Sequence, residues 1–174
     1  AAYQVAREFG FFVPVTVLTK LNGTMGSLQL FMEGLPTAEP AEKTGAEFSR
    51  SLMTRVFDAL VANGDRTPSN VLLDSSGREV LIDNEAAFGP ASFLSLSPNE
   101  LQRFRQDFPE VTARLMNSKT DARLRKELAA RKAMEIDQFF QRLNQFRKAI
   151  VDLQNGTLSP QAPQRQHEFE PLGL

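Results

Sequence analysis

Cysteine is absent from the 174 residues. Disulfides, thiolate metal sites and a cysteine nucleophile are thereby excluded. Histidine occurs once, at His167, in a stretch rich in Pro and Gln. That argues against His-based zinc centres and Ser-His-Asp triads, which need an imidazole held at a built site. No apolar run reaches membrane-spanning length. Charge bias is also missing: the formal net charge is −1, so neither nucleic acid nor an anionic membrane is indicated as a partner. The opening Ala1-Ala2-Tyr3 carries neither Met nor a signal-peptide pattern, so we expect a fragment or a processed form. The lack of cysteine tilts the expected compartment slightly towards the cell interior. What the chain does have is apolar mass: 41% of residues are hydrophobic and 14 are Phe, enough for one domain with a sizeable core.

The hydrophobic spacing then divides the chain. Ala2, Val5, Ala6 and Phe9 recur at helical intervals, and Gly10 suits a helix stop. Val13–Leu18 reads as a strand, Asn22-Gly23 as a turn, and Leu28–Met32 as the returning strand. Gly34 to Pro40 reads as a connector. Thr44 and Glu47 fit a capping box ahead of a helix that carries Phe48, Leu52, Val56, Ala59 and Leu60 on one face and runs to about Ala62. Val71–Leu73 and Glu79–Ile82 form a predicted hairpin, turned at Asp74-Ser75-Ser76-Gly77. Ser97 and Glu100 make a second capping box, with Pro98 at the first helical position. Beyond it the pattern is helical, with the stripe Ile136, Phe139, Phe140, Leu143, Phe146, Ile150 and Leu153 stopped by Asn155-Gly156. The expected class is α+β with a mostly helical C-terminal half. The charges around Lys119 to Lys132 read as a solvated helix face.

Within this frame, Asp65, Asn70 and Asp83 stand out: an Asp, an Asn five residues on, and a second Asp thirteen residues after that. This is the spacing of a phosphoryl-transfer site. Asp65, in a polar loop after a helix, can accept the proton of a substrate hydroxyl. Asn70 and Asp83 offer an amide oxygen and a carboxylate to a divalent metal, which takes its other ligands from phosphates and water. The hairpin between them returns the chain, so that Asp83 arrives beside Asn70. Asp65 and Asn70 taken alone fit ordinary turn chemistry better than a reacting site. The preceding helix, the hairpin and Asp83 together favour the phosphate and metal reading.

The run Val56-Phe57-Asp58-Ala59-Leu60-Val61-Ala62-Asn63-Gly64-Asp65-Arg66-Thr67-Pro68-Ser69-Asn70 resembles the catalytic-loop region of the four-jointed group of secretory-pathway kinases. Leu81-Ile82-Asp83-Asn84-Glu85-Ala86 resembles their metal-binding segment. The same pattern is similar to the phosphatidylinositol 3-/4-kinase superfamily, in which Gly-Asp-Arg precedes the loop Asn and Ile-Asp marks the metal Asp. Residues 13–34 resemble the stretch from the regulatory helix to the interlobe hinge. The resemblance covers about residues 1 to 95. It implies a kinase-like fold in which Asp65 is the catalytic Asp, Asn70 and Asp83 hold Mg²⁺ or Mn²⁺, and Phe31, Met32 and Glu33 form the hinge that meets the adenine of ATP. For these three, a buried strand end is the competing reading. Arg66 would pair with a neighbouring carboxylate.

By the same resemblance, residues 1–34 would be the end of a small lobe with its hinge, 35–156 a kinase-like large lobe, and 157–174 a C-terminal tail. The glycine-rich loop over the phosphates and the strand Lys of kinases are not found in the sequence, so the small lobe is expected to be largely missing and this chain alone inactive. The expected activity is ATP-dependent phosphate transfer to a hydroxyl, with Ser/Thr of a protein favoured. The alternatives are a lipid or small-molecule acceptor, or a non-catalytic pseudokinase. A secretory location follows only if the four-jointed likeness carries over.

Overall fold

The computed structural model describes residues 1–37, 51–89 and 96–158. Helix α1 (Ala2–Phe9) buries the four positions its spacing singled out, and Gly10 closes it in the left-handed region, its N–H reaching Ala6 O. A first hairpin follows, β1 (Thr16–Leu21) with β2 (Thr24–Gln29), paired from Thr16 opposite Gln29 to Leu21 opposite Thr24. Its two-residue loop is Asn22-Gly23, both at positive φ (49° and 85°), as a hairpin turn of this length needs. Both strands are displaced from the expected positions: the first starts three residues later than Val13, and the second ends at Gln29 instead of Met32. The tight turn sets the register, so pairing begins at once on either side of it and Gly26 falls inside a strand. Phe31, Met32 and Glu33 lie beyond the sheet, and Phe31 is 83% exposed, which removes the buried-strand reading for it.

Helix α2 (Leu52–Val61) is capped by Ser51, whose side chain accepts from Thr54 N–H. It opens at Leu52; Thr44, Glu47 and Phe48 of the expected start lie outside the described residues. The helix ends on Ala62, itself left-handed (φ 52°), one residue before the Asn63-Gly64 expected to stop it. A single turn of 3₁₀ helix (Pro68–Asn70) leads into β3 (Val71–Leu73), which pairs with β4 (Glu79–Leu81). Unlike β1–β2 among the described residues, this second hairpin has neighbours on both edges. Leu73 N–H bonds to Pro36 O and Thr37 bridges Leu72 on one side; Leu81 N–H bonds to Phe12 O on the other.

The C-terminal half is helical: α3 (Pro98–Asp107), α4 (Pro109–Met116), a 3₁₀ turn (Ser118–Thr120), α5 (Asp121–Glu127) and α6 (Ala133–Gln154). The Ser97–Glu100 capping box forms in full at the start of α3. Phe139, Phe140, Leu143, Phe146 and Ile150 of α6 are buried, with Ile136 and Leu153 packed at the margin. They share one core with Val5 and Phe9 of α1, Phe57 and Leu60 of α2, and Phe104 of α3. The rings meet edge-on or tilted, Phe104 against Phe146 at 5.8 Å and Phe11 against Phe57 at 5.2 Å. Each buried ring contributes about 1.5–3 kcal/mol of transfer free energy. The architecture is therefore α+β, six helices and two small hairpins among the described residues. Lys119, Arg123, Arg125, Lys126 and Lys132 lie at the surface, and Arg125 pairs with Asp137 at 2.9 Å, a solvated face as the sequence suggested.

Candidate functional site

The site grows out of the C-terminal end of α2. The last carbonyls of a helix lack intrahelical partners. Here Leu60 O accepts from Arg142 Nε of α6 at 2.8 Å, and Val61 O accepts from Phe88 N–H at 2.5 Å. Arg142 is buried, which pulls its pKa below the usual guanidinium value, and its Nη1 and Nη2 have no hydrogen-bond partner among the described residues. The helix end is thus fixed to α6 and to the segment following β4.

From that end hangs the loop Asn63–Thr67. Asp65 is exposed; Arg66, the next residue, is 3% exposed. The reason lies in α2, where Asp58 is buried within the otherwise apolar run Val56–Val61. An ionised carboxylate there needs a partner, and Arg66 supplies one, with Nη2 2.8 Å from Asp58 Oδ1 and Nε 3.2 Å from both carboxylate oxygens. Arg66 Nη1 donates to two backbone carbonyls, Asn70 O at 3.1 Å and Ile82 O at 2.6 Å. Nη2 also reaches Asn84 Oδ1 at 2.5 Å. Buried Asn63 sits between the two charged loop residues: with its amide nitrogen towards Asp65 Oδ1 (2.7 Å), its oxygen faces Arg66 Nη2 (2.8 Å). The opposite orientation would reach Asp58 at 3.3 Å but turn a donor towards the guanidinium.

Asn70 and Asp83 belong to segments joined by backbone. Ile82 N–H donates to Asn70 O at 3.1 Å, so the strand end that carries Asp83 lies alongside the residue that carries the amide. Asp83 is exposed and left-handed (φ 49°), a conformation that Asp tolerates better than most residues and that tends to mark functional positions. Asn84 next to it is held by Arg66 and by its own bond from Nδ2 to Leu81 O, 3.0 Å.

Asp83, Asn84 and Glu85 line a cleft of about 510 Å³. Its other walls are the start of α1, one face of the first hairpin (Thr16, Leu18, Ser27, Gln29), and the stretch from Glu127 to Arg131. Asp65, Asn70 and Phe31–Glu33 are not part of its lining. The hinge candidates sit instead on the segment that runs from β2 to Pro36 and Thr37, which pair with β3.

An amide oxygen and a carboxylate suit Mg²⁺, which prefers oxygen donors completed by phosphate and water. No group of three His, Cys, Asp or Glu able to hold a metal occurs among the described residues, and an ion held by Asn70 and Asp83 would take further ligands from phosphate and water. With that condition the donor chemistry of Asn70 and Asp83 fits a nucleotide-bound metal. Sequence reasoning passed over Asp58, Asn63 and Asn84. A lone charge in the apolar run of α2 was the available signal for the first.

An α+β body with a helix, a loop of Asp and Asn, and a returning hairpin that ends in Asp defines the class: a kinase-like domain. The family model described as "Phosphatidylinositol 3- and 4-kinase" matches residues 4–148, and the chain belongs to that family. The comparison with curated proteins returned no match. No helix among the described residues is long and apolar enough to cross a membrane.

Proposed function

We propose that the protein is an ATP-dependent phosphotransferase acting on a hydroxyl, with Asp65, Asn70 and Asp83 as its reacting and metal-holding groups. The observation that carries this reading is the Ile82 N–H to Asn70 O bond, which puts the two candidate metal residues on adjoining backbone. In this reading Asp65 accepts the proton of the attacking hydroxyl, oriented by Asn63. Asn70 and Asp83 hold Mg²⁺ or Mn²⁺ on the nucleotide, and the exposed Phe31, with Met32 and Glu33, meets the adenine. When bound, the ion would neutralise charge developing on the transferred phosphoryl group.

The family match supports a lipid alcohol such as the inositol ring as acceptor, whereas the sequence resemblance of residues 56–70 and 81–86 to four-jointed kinases would imply Ser/Thr of a protein. Labelled phosphate transfer from ATP, with Mg²⁺ or Mn²⁺, onto phosphatidylinositol vesicles and onto a protein mixture separates the two. Asp83→Ala should abolish transfer; unchanged transfer would sink the metal assignment. Nucleotide binding without transfer by a full-length protein would favour the pseudokinase. The 174-residue chain alone, which contains neither the glycine-rich loop nor the strand Lys, is expected to turn over poorly.

A further inference from the structure

We infer that Arg66 is the positioning residue of this site: it sets the spacing between the segment that carries Asn70 and the segment that carries Asp83. The inference rests on the reading of those two residues as metal holders. One nitrogen, Nη1, donates to Asn70 O and to Ile82 O, so a single planar group spans the two strands of backbone from which the candidate ligands project. A guanidinium has five N–H donors in a rigid fork. None is left over: Nε lies against the Asp58 carboxylate, Nη1 serves the two carbonyls, and the two N–H groups of Nη2 are shared among Asp58, Asn84 and the Asn63 oxygen.

Asp58 anchors the fork from inside α2, and both members of the pair are nearly inaccessible to water. The pair therefore transmits the position of the helix to the two loops. Lys could neutralise Asp58 but has three donors on a flexible stem and no plane, so it cannot hold both carbonyls and Asn84 at once. Groups that orient metal ligands typically change metal affinity by roughly 10- to 100-fold when removed.

Three measurements on the 174-residue chain test this. The first is Mn²⁺ affinity in the presence of a non-hydrolysable ATP analogue. The second is affinity for the analogue without metal. The third is amide hydrogen exchange at Ile82, read by NMR. Arg66→Lys should weaken Mn²⁺ binding by roughly tenfold or more, leave the metal-free analogue affinity unchanged, and speed exchange at Ile82 while the core amides of α6 stay protected. A general loss of structure would instead weaken both affinities and speed exchange in the core amides of α6 as well as at Ile82. Arg125→Lys, at a surface ion pair, is the control and should change none.

If Arg66→Lys does not fold, Asn84→Ala removes one acceptor of the fork. It should weaken Mn²⁺ binding several-fold, and no change would overturn the inference. Unchanged Ile82 exchange, or unchanged Mn²⁺ affinity in folded Arg66→Lys, overturns it as well. A wild-type chain that binds the analogue yet takes up no Mn²⁺ removes the metal reading itself and the inference with it. That outcome is recognised by its appearance in the unsubstituted protein.

Discussion

The two hairpins are built from similar local chemistry and end in different states. β1–β2 is closed by Asn22-Gly23, β3–β4 by a turn containing Gly77; each has a glycine at positive φ. Yet the described residues of β2 are all exposed, and Val17, Leu18, Met25 and Leu28 stand in solvent, whereas Val71, Leu72, Val80 and Leu81 are buried. Among the described residues the first hairpin has open edges, while the second is flanked by Phe12 and by Pro36-Thr37. A two-stranded hairpin alone is marginal in water. The difference teaches that turn chemistry makes a hairpin, and the neighbours make it rigid enough to present a side chain such as Asp83.

The largest effect that would break this comparison is truncation of one leucine in each. Leu81→Ala removes a side chain 2% exposed and should cost about 2–5 kcal/mol. Leu28→Ala, at 58% exposed, should change stability by no more than ~0.5 kcal/mol. Urea unfolding of the two variants measures both, and equal losses would mean the hairpins are equally embedded.

Alanine at the turn glycines comes next. Nothing lies within 4 Å of a Cβ built at Gly23 (φ +85°) or Gly77 (φ +80°), so the cost is backbone alone, about 1–2 kcal/mol. Gly77→Ala should lower global stability by that amount. Gly23→Ala should show mainly as faster amide exchange within β1–β2, because a weakly attached element opens locally. A matching fall in the global midpoint for both variants would contradict the contrast.

The smallest effect is acidification. Asp74 accepts from the Ser76 hydroxyl (2.6 Å), Arg78 N–H (3.0 Å), Arg78 Nε (2.7 Å) and Ser76 N–H (2.8 Å), and these bonds, the hydroxyl's first, hold its carboxyl below the usual carboxylate range. A depressed folded pKa gives stabilisation that is present above the ordinary value of 3.8 and is lost as pH falls through the folded one. Ser76 and Arg78 amides should therefore lose protection as the solution is acidified below about pH 4. Residues 16–30 contain no Asp or Glu, so β1–β2 should show no such transition in the same titration.

Much of this was legible from residue order because it depends on local rules. The α1 stripe with Gly10, the Asn22-Gly23 turn, the Ser97–Glu100 box and the β3–β4 strands each need only near neighbours to form. The strand limits of β1–β2 were not, since pairing register depends on where the turn closes, and composition alone extended both strands too far from it. The cap of α2 at Ser51 was not legible for a related reason. Ser51 gains from the Glu79 carboxylate, which accepts its backbone N–H at 3.3 Å and its hydroxyl, a contact 28 residues away that no sequence window contains. For the candidate site, the spacing of Asp65, Asn70 and Asp83 and the hairpin that returns the Asp83 segment to Asn70 were visible, and the Ile82 N–H to Asn70 O bond joins those two segments; the part played by Arg66 was not. Arg66 reads as a loop charge until α2 is seen to bury Asp58 beneath it.

Helix α2 is fastened at both tips. Glu79 of β4 takes the Ser51 N–H and the hydroxyls of Ser51 and Thr54 at one end, while Arg142 and Phe88 hold the final carbonyls at the other. A short rod pinned twice behaves as a fixed beam. Whatever hangs from it inherits its alignment, so the bench on which the Asp65 loop is mounted answers to residues on β4 and on the C-terminal helix, remote in sequence from the acid it carries.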